Sequence, residues 1–153
     1  MKYSQAEFGR VFVLRLEDGD VLHQCVEDLA RKEGVKAAAV LLVGGADKGS
    51  KLIVGPREGR KTPVRPMEYI LKDVHEVAGV GTIFPNERQK PVLHMHAACG
   101  RKGNTRTGCV RSGVKIWHIG EVVIFEIINS TAVRKKEDPT GFELLDPGPQ
   151  QVL

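Results

Sequence analysis

Two histidines separated by a single residue, in Pro91-Val-Leu-His-Met-His-Ala-Ala-Cys-Gly100, are the residues of this chain whose type and spacing best suit chemistry. The segment alternates apolar and polar positions and reads as a β-strand, so His94 and His96 leave the same face, while Leu93, Met95 and Ala97 face the other way. Two imidazoles so placed can share a metal ion, although the same spacing also occurs in strands that bind nothing. A turn at Arg101, Lys102, Gly103 and Asn104 folds the chain back as a hairpin, and counting outward from it sets Cys109 opposite His96. Side chains opposed across an antiparallel pair have Cβ atoms about 4.5–5.5 Å apart, close enough for His94, His96 and Cys109 to converge on one ion. The set suits zinc or another divalent transition metal, and it leaves a fourth position for water, His75 or His118. The plainer alternative is that Cys109 is a small residue in a Gly-Cys-Val strand.

The elements that position these residues are legible in the flanking sequence. Val11, Val13 and Arg15 alternate with Phe12, Leu14 and Leu16 as a strand. Val21, Leu22, Cys25, Val26, Leu29 and Ala30 recur at helical spacing, with Asp20 placed as N-cap and Gly34 as the C-terminal stop. Cys25 falls on the apolar stripe and reads as a core thiol, Cys99 as a strand-end thiol, and His23 as a surface residue of the helix. Ala37 to Val43 and Lys51 to Val54 are two further strands around a glycine-rich bend, which lacks the Gly-Lys-Ser/Thr of a phosphate-binding loop. Residues 55–66, rich in proline and basic residues, form an exposed loop. Met67 to Leu71, Val74 to Phe84, Val92 to Cys99, Thr105 to Arg111 and Glu121 to Ile128 complete a sheet whose connections after residue 99 are too short for helical crossovers. The expected fold is α+β, a mainly antiparallel sheet with one principal amphipathic helix packed on it. One domain spans 1–136, and residues 137–153, with three prolines, form an irregular C-terminal tail.

At 153 residues the chain fits a single domain, and 41% hydrophobic with 27% charged residues is an ordinary globular balance. The odd number of cysteines, three, argues against a disulfide framework and for a reducing, cytoplasmic setting. No targeting segment opens the chain, and its longest apolar run is too short to cross a bilayer, so no membrane partner is expected. The net charge of +4 is spread over Arg57, Arg60, Lys61 and Arg65, over Arg101, Lys102, Arg106, Arg111 and Lys115, and over Arg134, Lys135 and Lys136. These read chiefly as solvated side chains in loops and at element ends. Any nucleic-acid contact through them is weak and non-specific, and aromatic residues, at 5%, are too few for base stacking.

Four segments in order carry a resemblance to the plants-and-prokaryotes-conserved (PPC) domain, which stands alone in prokaryotes and is joined to AT-hook DNA-binding motifs in plants. They are Gly9-Arg-Val-Phe-Val-Leu-Arg-Leu-Glu-Asp-Gly-Asp20, Ala39-Val-Leu-Leu-Val-Gly-Gly-Ala46, Pro91-Val-Leu-His-Met-His96 and Glu121-Val-Val-Ile-Phe-Glu126. The resemblance implies the stand-alone prokaryotic type, an α+β domain, a homotrimer and, in some members, a metal site. There a Gly-Gly-His completes the ligand set begun by His-x-His, and the corresponding segment here is Thr107-Gly108-Cys109, with cysteine in place of the third histidine. His75 stands where relatives often carry glutamate. No Arg-Gly-Arg-Pro is present, so DNA binding by the plant route is not implied. The resulting reading is a small, metal-holding trimer acting as a regulatory, DNA-binding or interaction module. Its alternatives are a zinc-dependent enzyme acting on a small molecule and a trimer whose metal only staples the fold. Glu76 and Glu121 are carboxylates with no telling spacing, and no catalytic residue is assigned.

Overall fold

The alternating segment that opens the chain becomes β1 (Glu7–Glu17), and a tight turn then leads into α1 (Leu22–Glu33). Leu22, Val26 and Ala30 form the buried stripe of α1, and Gly34 ends it in the left-handed conformation at φ 69°. Asp20 does not cap the helix as expected. Val21 occupies that position, and the Asp20 carboxylate instead accepts the backbone N–H of Glu17 at 2.9 Å, closing the turn between strand and helix. His23 is half-buried rather than at the surface, with Nδ1 enclosed and unpartnered among the described residues.

The computed structural model describes residues 1–138 and 140–149. The remaining strands are β2 (Ala37–Ala46), β3 (Lys51–Pro56), β4 (Pro66–Ile70), β5 (His75–Pro85), β6 (Pro91–Arg101), β7 (Asn104–Cys109), β8 (Ile116–Ile128), β9 (Val133–Glu137) and β10 (Phe142–Asp146). The first eight strands form one sheet in the order β1-β8-β2-β5-β6-β7-β3-β4, with every pairing antiparallel. β2 and β3 flank the glycine-rich bend but do not pair with each other; each finds its partners elsewhere in the sheet.

The inner face carries the core. Val40, Leu42, Ile83, Leu93, Met95, Ala97, Cys99, Val122 and Ile124 are all buried in the cluster that holds Leu22, Val26 and Ala30 of α1. Met95 fits because it faces Gly81: a Cβ on that glycine would stand 2.6 Å from the Met95 Cβ. α1 also grips the strand that bears the histidines, since the Glu27 carboxylate accepts the backbone N–H of Leu93 at 2.9 Å.

Two further expectations need correction. The strand begun at Thr105 stops at Cys109, because Val110 turns into the core and residues Val110–Ser112 form a single 3-10 turn. The stretch after Glu137 is not an irregular tail: β9 and β10 pair as a hairpin from Val133 to Asp146. Residues 139 and 150–153 of that tail lie outside the described residues. Among the described residues no helix is long and apolar enough to cross a membrane.

Candidate metal centre

The β6–β7 hairpin sets the geometry. Lys102 and Gly103 both have positive φ, 50° and 76°, the conformation of a two-residue turn whose twist matches the strands it joins. Arg101 therefore pairs with Asn104, and the register runs without interruption to His96 opposite Cys109. His94 and His96 take alternate positions on β6, on the face away from the core, with ring centroids 5.1 Å apart and planes at 79°. Gly108 lets the next strand close in: a Cβ there would lie 2.5 Å from the Ile53 carbonyl oxygen, and Ile53 is the residue that pairs with Cys109.

The ligand atoms of His94, His96 and Cys109 all lie within 4.8 Å of one another. Among the described residues they are the one group of three or more histidine, cysteine or acidic side chains so gathered. The donor set fits a divalent transition ion, since two imidazole nitrogens and a thiolate suit zinc. Burial, followed by the positive charges of Arg134, His96 and Arg111, holds His94 below the ordinary imidazole pKa. It is therefore neutral at neutral pH, the form that ligates. The other thiols are poor competitors. Burial raises the Cys99 thiol to about 11, and burial followed by the Asp20 charge raises Cys25.

The fold does not bring His75 or His118 to this group. His75 opens β5 and pairs with Ala46, well before Val80 and Thr82, which lie opposite His96 and His94, and its Nδ1 is 2.8 Å from the Asp73 carbonyl oxygen. His118 lies on β8 at φ 65°, where its backbone N–H donates to Asp18 Oδ1 at 2.6 Å.

The sequence matches the Plants and Prokaryotes Conserved (PCC) domain over residues 3–128. The chain belongs to that family. Among solved structures, this PCC-domain chain is similar to a metal-containing protein from Archaeoglobus fulgidus, at 22% identity and TM-score 0.81, covering 94% of this chain and 98% of the other. A plant- and prokaryote-conserved protein from Pyrococcus horikoshii is similar at 20% identity and TM-score 0.82, covering 97% and 99%. A protein from Bacteroides thetaiotaomicron with a provisionally assigned DNA-binding role is similar at 13% identity and TM-score 0.74, covering 93% and 97%. No curated protein matches the sequence.

Several residues around the centre of this PCC domain escape a reading of the sequence. A cavity of about 490 Å³ opens over His94, His96 and Cys109, walled by Ile53 and Gly55 of β3, Pro66, Arg111, and Phe142, Glu143 and Leu144 of β10. Its β10 wall lies beyond the segment that matches the family. Arg134, expected as a solvated cation, is only 3% exposed. Its Nη2 donates to Thr82 Oγ1 at 2.9 Å, and Thr82 is the residue opposite His94. The signal for the hairpin was present in Asp138-Pro-Thr-Gly141, a turn-forming run followed by the apolar Phe142, Leu144 and Leu145.

Proposed function

We propose that this PCC-domain protein is a homotrimeric module of the stand-alone prokaryotic type that holds one zinc or other divalent transition ion per chain at His94, His96 and Cys109. The observation that carries the reading is the approach of the three ligand atoms to within 4.8 Å. The metal-containing relative from Archaeoglobus fulgidus supports it. The ion ties β6 to β7 and supplies a local positive charge on an otherwise apolar sheet face.

That face supports the trimer. Val13, Val123, Leu41 and Val80 form a row of direct pairing neighbours across β1, β8, β2 and β5 that continues into His96 and Cys109. Val13 is 80% exposed and Val80 69%. Apolar surface of this kind calls for a cover, and a closed ring of identical chains supplies one. The similarity to a protein with a provisional DNA-binding role supports a regulatory role at nucleic acid. Apart from the buried Arg134, the cations are scattered over the surface, so such contacts are electrostatic and non-specific. Three unpaired cysteines accord with a reducing, cytoplasmic setting.

A second reading, a zinc-dependent enzyme acting on a small molecule, is favoured by the cavity over the ligands and by Glu143 on its wall. Glu76 and Glu121 do not line that cavity. Calorimetric titration of metal-free protein with zinc tests the common core of both readings. One site per chain, lost in His94→Ala, is expected; no uptake by the wild-type chain contradicts both.

A further inference from the structure

Building on the metal reading, we propose that the cavity over His94, His96 and Cys109 binds a small organic oxyanion with an apolar body, a carboxylate or a phosphate monoester, its head held between the ion and Arg111. The charge inventory points to an anion. A divalent ion with one thiolate and two neutral imidazoles keeps a positive charge. Arg111 lines the cavity and Arg134 lies beside it against Thr82, whereas Glu143 is the carboxylate on the wall.

Neither guanidinium has a close ion-pair partner, and the charge facing Arg134 comes from the more distant Glu143. Among the described residues no carboxylate lies within 4 Å of Arg111 or Arg134, and the Arg134 Nε is buried without a partner. Arg134 is the buried one of the two, and a buried charge without a close counter-ion weakens the fold unless a counter-charge offsets it. An oxyanion head seated between the ion and Arg111 brings negative charge towards Arg134 and takes charge-assisted hydrogen bonds from the Arg111 guanidinium. The rest of the cavity is apolar, walled by Ile53, Pro66, Phe142 and Leu144. A volume of about 490 Å³ lies in the range of small-molecule sites and leaves room for a ring or short aliphatic body beside the head.

The probes are 4-fluorobenzoate, 4-fluorophenyl phosphate and the neutral 4-fluorobenzamide, followed by fluorine NMR against zinc-loaded protein, with zinc content measured on the same samples. At least one of the two anions is expected to broaden and shift saturably while the benzamide does not, and the tighter of the two identifies the head group. Arg111→Gln, at an exposed position that leaves the fold intact, should weaken the anion by about tenfold or more. Equal binding of the benzamide, full affinity in Arg111→Gln, or zinc-loaded protein that ignores both anions overturns this proposal and leaves the metal reading standing. Protein that takes up no zinc overturns both.

Discussion

His96 and Cys109 face each other across the β6–β7 hairpin, at the point where β7 ends and the chain turns into the core at Val110. The register is set by the turn at Lys102-Gly103, and Ile53 of β3 pairs with Cys109 from the other side. Side chains alternate faces along a strand, so a one-residue slip sends Cys109 to the opposite face. Inserting one glycine after Gly103 is expected to abolish zinc retention if β7 slips as a unit, and a compensating deletion of Thr105 should restore it. Zinc measured after gel filtration checks both variants.

The apolar row from Val13 to Val80 predicts the oligomeric state. Light scattering should give a mass near 50 kDa, three times the 16.8 kDa of one chain. Val13→Asp, at a position 80% exposed in the single chain, should leave the fold intact and reduce that mass to one chain. A wild-type mass of 16.8 kDa at micromolar concentration contradicts the trimer.

The hairpin register was legible because it is local: two short strands, a turn with glycine at its second central position, and alternation on both sides leave one pairing. The sheet order was not. β1 lies beside β8, and β8 beside β2, through pairings that span most of the chain, and strand propensity carries no information about which distant edge a strand meets. Asp20 misled because a good capping residue was also the residue needed to close the turn before the helix. Arg134 misled for a related reason. Val133-Arg-Lys-Lys-Glu137 has the composition of a solvated segment, and only the folding of β9 and β10 against the histidine face puts one of its cations inside. The convergence of His94, His96 and Cys109 could therefore be read from the sequence, whereas the cavity over them could not.

Arg10 and Glu126 join β1 to β8 through a two-pronged pair, with Nε to Oε2 at 2.7 Å and Nη2 to Oε1 at 2.8 Å. The hydrogen bond from Arg10 is the main cause that lowers the Glu126 carboxyl to about 2 from its ordinary 4.5. A depressed carboxylate contributes stability that is present above its unfolded value and lost as pH falls through its folded one. The stability difference between wild type and Glu126→Gln should thus be full above pH 5 and shrink between pH 4.5 and 2. Urea midpoints measured across that range check it, and a difference independent of pH contradicts it.

Nucleic-acid binding, measured by fluorescence anisotropy with duplexes of unrelated sequence, should be weak, indifferent to sequence and abolished by salt. Between 50 and 200 mM salt a purely electrostatic complex loses about tenfold in affinity for every two phosphates it neutralises. A sequence-selective complex that survives at physiological ionic strength contradicts this expectation.

The central claim is that Cys109 ligates a metal as a thiolate beside His94 and His96, and cobalt substitution measures it most directly. Cobalt-loaded wild-type protein should show a near-ultraviolet sulfur-to-metal charge-transfer band together with the visible bands of a four-coordinate ion. Cys25→Ser and Cys99→Ser should keep the charge-transfer band, and Cys109→Ser should lose it. Because thiolate ligation releases a proton, the band should fade as pH drops through the acidic range. Equal spectra from all three cysteine variants, or no cobalt uptake by the wild-type chain, would show that the histidine pair is only part of the sheet.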